Sequence, residues 1–169
     1  MLRIQLLSRQ HNREAFYCGE HELDEYLKKN ARQQGEKGVS RTFVLVDTEE
    51  PAKILGFFTL AGCEVVATDL PPKYARKYPD KAPAAKLARL AVSADHQRKG
   101  LGGIMMVEAM RRALSVSENI GIIGFFVDAK NQGAREYYEQ YGFISLPDNP
   151  LSLFLPLATL AAAVASLDK

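Results

Sequence analysis

Residues 97–103 place a glutamine, two cations and three glycines at a spacing that suits anion binding: Gln97-Arg98-Lys99-Gly100-Leu101-Gly102-Gly103. The apolar run Lys86–Val92 precedes them and predicts a buried strand, and a helical pattern to about Ser117 follows. The first N–H groups of a helix lack intrahelical partners and carry partial positive charge. Because glycine has no side-chain bulk, a phosphate can approach such a backbone closely. This order predicts a phosphate-binding turn, with a plain tight turn as the alternative.

The spacing of the glycines narrows the class of ligand. Neither G-x-G-x-x-G nor a Gly-Lys-Ser/Thr ending is present, which excludes a dinucleotide fingerprint and a P-loop. The pattern is Gln-x-x-Gly-x-Gly, and it follows the strand end Leu90–Val92. In this setting it resembles the acetyl-CoA signature of the GNAT N-acetyltransferase superfamily, in which the loop amides hold the pyrophosphate.

A second pattern, downstream of the turn, strengthens the resemblance. GNAT enzymes typically carry Asn, Ala, an aromatic-Tyr pair and Gly-Phe in this order. The matching residues are Asn131, Ala134, Tyr137, Tyr138, Gly142 and Phe143. Two such motifs, joined by one helix and one strand, identify the chain as a member of this superfamily.

The resemblance implies a fold and a set of site residues. We expect a mixed α/β GNAT fold: a central, mostly antiparallel twisted sheet with a parallel, splayed strand pair that binds acetyl-CoA, flanked by helices, in one domain over residues 1–169. It implies that Tyr138 is catalytic. The residues expected to hold the co-substrate acetyl-CoA are Leu90, Ala91, Val92, Gln97, Arg98, Lys99, Gly100, Leu101, Gly102, Gly103 and Asn131.

The chemistry of acetyl transfer suggests how two of these groups act. The Val92 backbone N–H is expected to donate a hydrogen bond to the thioester carbonyl oxygen as charge develops there. Tyr138 lies where the family's tyrosine protonates the departing sulfur. A phenol of pKa ~10 keeps its proton at pH 7, and passing it to a thiolate of about 8.5 costs roughly 2 kcal/mol. Tyr137 and Tyr141 are expected to be packing residues.

A general base is harder to find, and this constrains the substrate. Among the candidate bases, His96 borders the glycine turn, whereas His11 and His21 lie far from both motifs. Glu64, late in the preceding strand, is the carboxylate that could reach the cleft. A lysine amine of pKa ~10.4 needs a base at pH 7, whereas an α-amine near ~7.7–8.0 is partly free already. We therefore expect an α-amine substrate.

Basic residues concentrate in two segments, although the net charge is only +2. Residues 71–89 contain six Lys or Arg against Asp80, and residues 28–41 contain five against Glu36. Such runs are often only solvated surface, but they also suit a polyanion, and Tyr74 and Tyr78 could stack on bases or pack on the domain.

A further resemblance covers nearly the whole chain: it is similar to the GNAT toxins of bacterial type II toxin–antitoxin modules. The segments that carry it are Phe16-x-Cys18-Gly19, Leu23-Asp24-x-Tyr26-Leu27, Arg41–Val44, Gly56–Leu60, Leu87–Val92 and Glu118–Gly121. It implies acetylation of the α-amino group of aminoacyl-tRNA and a block of translation. It also implies a homodimer and a ribbon-helix-helix antitoxin. On this interpretation tRNA is bound by Arg76, Lys77, Lys81 and Arg89.

Three alternatives stay open at this point. A GNAT enzyme could acetylate a protein N-terminus or a small-molecule amine, although a small polar amine would favour acidic groups that the motif region lacks. A non-catalytic acyl-CoA-binding module is a second possibility, against which Tyr138 argues. The basic segments could also serve only DNA binding together with an antitoxin.

Composition excludes several other classes. Cys18 and Cys63 provide neither a disulfide framework nor metal-ligand spacing, which favours a reducing cytoplasm and no metal. The N-terminus lacks the apolar core of a signal peptide, and Leu151–Leu167 contains Pro156 and is short for a bilayer span. We therefore expect a cytoplasmic protein that does not bind membranes.

Hydrophobic periodicity and turn residues predict the remaining elements. Strands are expected at Arg3–Leu7, Arg41–Asp47, Ile54–Val66, Lys86–Val92, Gly121–Val127 and Phe143–Leu146. Helices are expected at Glu22–Gln34, in a short piece within Asp69–Pro83, from the glycine turn to Ser117, at Asn131–Tyr141, and along the face Leu157, Leu160, Val164 and Leu167.

Overall fold

The computed structural model describes residues 1–168, which form seven β-strands and six α-helices. The strands are β1 (Leu2–Leu6), β2 (Arg41–Asp47), β3 (Gly56–Val66), β4 (Lys81–Val92), β5 (Gly124–Asp128), β6 (Ile144–Leu146) and β7 (Asn149–Pro156). The helices are α1 (His21–Lys29), α2 (Ala31–Glu36), α3 (Pro72–Ala75), α4 (Leu101–Ser117), α5 (Gln132–Glu139) and α6 (Leu157–Leu167).

The strands follow the order β1-β2-β3-β4-β5-β7-β6 in a mixed sheet. β1–β2, β2–β3, β5–β7 and β6–β7 pair antiparallel, whereas β4–β5 pair parallel. The register of the parallel pair ends at Leu87 and Val127, although β4 continues to Val92. The expected α/β fold, with a mostly antiparallel sheet and one parallel pair, is confirmed.

The chain divides into two compact units, and each contains an apolar cluster. The first comprises Met1–Ala61 and Ala88–Ala109, and the second comprises Gly62–Leu87 and the chain from Met110 onward. Phe16, Leu27 and Phe57 lie in the apolar cluster of the first unit. Leu70, Phe126 and Phe154 lie in that of the second. A single domain over the whole chain stays a prediction.

The helix expected at Glu22–Gln34 is divided in two. Asn30 lies between α1 and α2 with φ −117° and ψ −35°, outside regular helical geometry. The Arg13 guanidinium donates a hydrogen bond of 3.0 Å to the Lys28 carbonyl near the end of α1. That carbonyl therefore has a partner where the helix is interrupted, and the periodicity of the sequence does not reveal this.

The strand before the glycine turn begins earlier than expected. β4 starts at Lys81 and contains Pro83, which the proline-rich composition had assigned to a loop. Proline has no N–H for a ladder, but its carbonyl can still accept. The Pro83 carbonyl accepts a hydrogen bond of 2.9 Å from Ile123 N–H, so the strand tolerates the proline.

Strand β7 was missed because its residues belong to one apolar run with α6. The sequence predicts a helix along the face Leu157 to Leu167 but no strand before it, and the chain changes from strand to helix at Pro156. Gly124 of β5 permits the close pairing, because a Cβ there would collide with the Leu155 backbone. In α6 Leu160 and Val164 are buried as expected, whereas Leu167 is exposed.

Candidate active site

The turn between β4 and α4 has a strained backbone. Arg98 has φ +65° and is the one non-glycine residue with positive φ within residues 1–168; Gly100 has φ +80°. A left-handed conformation is unfavourable for an L-residue by about 1–2 kcal/mol, and such outliers cluster at ligand sites. Residues of alternating φ sign direct successive N–H groups to one side, which makes an anion-binding concavity.

The start of α4 adds donors to this concavity. α4 begins at Leu101, directly after Gly100, and runs for 17 residues. Its first N–H groups precede the helical hydrogen-bond pattern and lie at the positive end of the helix dipole. Arg98 and Lys99 are exposed beside them and contribute two cations. The turn thus has donors and charge that suit a diphosphate, and binding of one there stays a prediction.

Hydrogen bonds from both ends fix the turn in the first unit. The Gln97 side-chain amide donates to the Cys18 carbonyl at 2.9 Å and to the Val92 carbonyl at 3.1 Å. Ser93 N–H donates to the Leu55 carbonyl, and Ala94 N–H donates to the Tyr17 carbonyl, both at 2.8 Å. The turn is therefore attached to the segment before α1 and to the start of β3.

Close packing beneath the turn depends on one glycine. Gly56, the first residue of β3, would place a Cβ 2.7 Å from the Met105 side chain and 2.9 Å from the Ala91 carbonyl. Met105 and Ala91 are buried, while Leu90 and Val92 are half-buried. The first unit thus brings together the predicted residues Leu90–Val92 and Gln97–Gly103.

Helix α5, in the second unit, carries the predicted catalytic tyrosine. Asn131 precedes the helix, and its side-chain oxygen accepts a hydrogen bond of 2.9 Å from Ala134 N–H. Asn131 therefore acts as the helix cap. Its predicted role in acetyl-CoA binding stays a prediction.

The tyrosines of this segment differ in their hydrogen bonding. The Tyr137 and Tyr141 hydroxyls bond each other at 3.2 Å. Tyr138 is half-buried, with its ring 5.4 Å from that of Tyr137 and 5.9 Å from that of Phe143. Its hydroxyl forms no hydrogen bond within the described part of the chain. Of the three hydroxyls, that of Tyr138 is available to a ligand.

Burial changes the acidity of these phenols. It raises the pKa of Tyr138 to about 12. The pKa of Tyr137 rises further, because burial is reinforced by the hydrogen bond with Tyr141. The value of ~10 expected from the sequence is therefore too low for Tyr138. The group stays protonated across the whole neutral range.

The cations predicted to bind tRNA are all exposed but have different neighbours. Arg76 and Lys77 follow α3, where the Lys77 ammonium lies 6.0 Å from the Tyr74 ring. Lys81 lies 3.9 Å from the Glu64 carboxylate. In the first unit, the Arg89 guanidinium lies 4.6 Å above the Tyr26 ring. Tyr74 and Tyr78 pack against the apolar cluster of the second unit, which favours packing over base stacking.

Glu64, His11 and Asp128 are poorly suited to act as the base. Glu64 is exposed beside Lys81. His11 is buried and hydrogen-bonded to Ser8 and Gln5, and burial lowers its pKa. Asp128, which sequence reasoning missed, accepts hydrogen bonds of 2.7 Å from Lys86 and Ser152. Burial alone would raise the pKa of Asp128, but these partners lower it overall, so its carboxylate is a weak base.

Residues 1–168 contain neither a candidate metal site nor a candidate membrane-spanning helix. No group of three or more His, Cys, Asp or Glu side chains could hold a metal ion there. Over the same residues, every helix is too short or too polar to cross a membrane.

Known proteins resemble this chain over most of its length. The model of the acetyltransferase (GNAT) family matches residues 5–143. A tRNA-acetylating toxin of Mycobacterium tuberculosis is 34% identical over 150 residues, which cover 89% of each chain.

Solved structures give the same result. AtaT complexed with acetyl-methionyl-tRNAfMet is 30% identical with a TM-score of 0.88, over 96% of this chain and 98% of that one. A tyrosine-to-phenylalanine mutant of KacT is 30% identical with a TM-score of 0.89, over 95% and 98% of the two chains. Other AtaT structures contain acetyl-CoA or the C-terminus of the antitoxin AtaR, and KacTA is solved with DNA. The chain belongs to the GNAT family of acetyltransferases.

Proposed function

We propose that this protein is a toxin that transfers the acetyl group of acetyl-CoA to the α-amino group of aminoacyl-tRNA and thereby blocks translation. The observation that carries the proposal is the likeness, over 96% of the chain, to AtaT in complex with acetyl-methionyl-tRNAfMet. The 34% identity to the mycobacterial tRNA-acetylating toxin supports it. The exposed cations described above are consistent with a polyanionic substrate.

The turn in the first unit is proposed to hold the co-substrate. Acetyl-CoA supplies an activated acetyl thioester and carries a diphosphate. The positive φ values of Arg98 and Gly100, the free donors at the start of α4 and the two exposed cations fit that diphosphate. Leu90 to Val92 would contact the co-substrate along β4, and the Val92 N–H would donate to the thioester oxygen.

Tyr138 is proposed to donate the proton that the leaving sulfur requires. Its hydroxyl is not engaged within residues 1–168, in contrast to that of Tyr137. With the pKa of Tyr138 at about 12, passing the proton to a thiolate near ~8.5 costs about 5 kcal/mol. That cost is offset when transfer is coupled to cleavage of the carbon–sulfur bond, and the proton that the attacking amine loses restores the Tyr138 hydroxyl.

The weak bases near the motifs favour an α-amine as acceptor. The lowered pKa of Asp128 and the exposure of Glu64 leave neither suited to deprotonate a lysine side chain. An α-amine near ~7.7–8.0 provides its own neutral fraction at pH 7. This agrees with aminoacyl-tRNA and argues against a lysine acceptor.

A partner, an assembly and a location follow from the same proposal. AtaT is solved with the C-terminus of its antitoxin AtaR, and a KacTA–DNA complex is solved as well. We propose an antitoxin partner of the ribbon-helix-helix class, a homodimer, and action in the cytoplasm where charged tRNA is used. Light scattering of the purified chain would test the dimer.

The decisive experiment is cell-free translation with labelled acetyl-CoA. Wild type should inhibit translation and label the tRNA fraction. Tyr138→Phe should do neither, and Tyr137→Phe should behave as wild type. Label in protein or in small amines, or equal inhibition by all three forms, would contradict the proposal.

A further inference from the structure

We propose that Tyr26 is a positioning residue, which holds the Arg89 guanidinium in the orientation that binds a phosphodiester of the nucleic-acid substrate. This inference rests on the proposed function and adds to it a residue of α1 that does not itself touch the substrate. Its basis is a set of contacts that all lie within the first unit.

Arg89 is exposed, yet its side chain is held in place. Its guanidinium carbon lies 4.6 Å from the centroid of the Tyr26 ring, well within the distance for a cation–π interaction. One of its terminal nitrogens donates to the Ala88 carbonyl at 2.8 Å. An exposed arginine normally samples many rotamers. Because these two contacts already restrict the Arg89 side chain, less conformational entropy is lost when it binds a ligand.

Tyr26 is itself fixed by its surroundings. It is 7% exposed, and its hydroxyl donates to the Gln34 side-chain oxygen at 3.2 Å. The Ser40 hydroxyl lies 3.5 Å away. Its ring is nearly parallel to that of Phe57, with centroids 6.4 Å apart. The surface on which Arg89 rests is therefore rigid.

The charge of Arg89 is not neutralised by a neighbouring carboxylate. Within residues 1–168 it forms no ion pair, whereas Arg32 of the same unit pairs with Glu36 at 3.0 Å. A guanidinium that stacks on an aromatic ring still presents its N–H edge, which matches two phosphate oxygens. The contacts thus leave the phosphate-binding edge of Arg89 available.

The test is a double-mutant cycle with total tRNA charged with amino acids as substrate. Tyr26→Leu removes the ring, and Tyr26→Phe keeps the ring but loses the hydroxyl. We expect Tyr26→Leu and Arg89→Ala each to raise the KM for charged tRNA by about tenfold, with kcat and the KM for acetyl-CoA little changed. Tyr26→Phe should stay close to wild type, and the double variant should equal Arg89→Ala alone.

Additive effects in the double variant, or an unchanged KM in Tyr26→Leu, would overturn the proposal. If Tyr26→Leu does not fold, Tyr26→Met takes its place: it keeps much of the side-chain volume but removes the ring, so the KM for charged tRNA should still rise. An unchanged KM in Tyr26→Met would contradict the role of the ring.

Binding of uncharged total tRNA separates this inference from the proposed function. Failure of the wild type to acetylate charged tRNA would refute the proposed function alone. The inference still requires Tyr26→Leu and Arg89→Ala to weaken binding of uncharged tRNA. It also requires Arg89→Ala to reduce the slope of the logarithm of the binding constant against the logarithm of the salt concentration by about one, the value for one phosphate contact. Unchanged binding in both variants would refute the inference whatever the reaction.

Discussion

The turn at residues 92–103 and the segment at residues 131–143 are built in different ways. In the turn, the groups that face a ligand are backbone amides, directed by two positive φ values and fixed by side-chain and backbone hydrogen bonds. In the second segment, the proposed chemistry depends on one oxygen, the hydroxyl of Tyr138. The α5 backbone serves to place it, with Asn131 as the cap.

The difference between these regions implies different sensitivities to mutation. A backbone site survives most side-chain changes, because its donors belong to the main chain, but it fails when a residue cannot adopt the required φ. A site that depends on a single hydroxyl fails when one atom is removed. Substitutions in the two regions should therefore differ both in size and in the kinetic constant that they change.

The largest effect is expected for Tyr138→Phe. Loss of the proton donor should lower kcat by about 10²- to 10⁴-fold, the usual contribution of a general acid. The KM for acetyl-CoA should change little, because the diphosphate contacts lie in the turn. Steady-state kinetics with saturating charged tRNA measure both constants.

Tyr137→Phe is the matched control for this substitution. It removes a neighbouring hydroxyl that is bonded to Tyr141, so kcat should stay within a few-fold of wild type. An equal loss in both variants would mean that the tyrosine cluster acts through packing. The distinction between the two hydroxyls would then be wrong.

Gly100→Ala should give the next largest effect and change a different constant. At φ +80° an L-residue is strained by about 1–2 kcal/mol, so the turn of the free variant should relax away from this conformation. Because binding must then restore it, the KM for acetyl-CoA should rise by roughly 5- to 30-fold. The value of kcat at saturation should be nearly unchanged.

Gly62→Ala is its control, since a Cβ there meets nothing within 4 Å and φ is not positive. A fall in kcat without a change in KM for Gly100→Ala would contradict a role of the turn in binding.

Gln97→Leu should have a smaller effect of the same kind. It removes the hydrogen bonds to the Cys18 and Val92 carbonyls. Each such bond contributes about 0.5–1.5 kcal/mol, and Gln97 is exposed, so the KM for acetyl-CoA should rise by less than in Gly100→Ala. An effect larger than that of Gly100→Ala would show that Gln97 contacts the ligand directly instead of supporting the turn.

The turn could be predicted from the sequence because its function depends on local features. Glycine spacing after a buried strand and before a helix identifies a backbone anion site without knowledge of distant contacts. The contacts that hold the turn could not be predicted in this way. Gln97 reaches Cys18, 79 residues earlier in the chain, and Arg89 reaches Tyr26. No local pattern encodes such distances.

The pKa of Tyr138 and the presence of strand β7 could not be predicted from the sequence either. Burial raises the pKa of Tyr138, and burial depends on neighbours such as Phe143 that pack only in the folded chain. Strand β7 was hidden because an apolar run interrupted by proline fits a helix as well as a strand. Its pairing with β5 decides between the two.

The smallest expected effect concerns Asp128, whose carboxylate links β5 to Lys86 and Ser152. Its pKa is lowered in the folded protein, so its contribution to stability is fully present above the unfolded value of about 3.9. That contribution is lost as the pH falls through the lower, folded value. Because the pair is partly exposed, Asp128→Asn should lower the free energy of unfolding by only about 0.2–1 kcal/mol near pH 7.

Thermal melts between pH 7 and pH 3 would measure this. The difference in Tm between wild type and Asp128→Asn should be largest near pH 7 and shrink as the pH falls below about 4. Asp148→Asn is the control, because Asp148 is exposed and forms no ion pair within residues 1–168, so its difference should be small at every pH. A difference for Asp128→Asn that grows toward acid pH would mean that the folded protein disfavours the carboxylate, and Asp128 would then return as a candidate base.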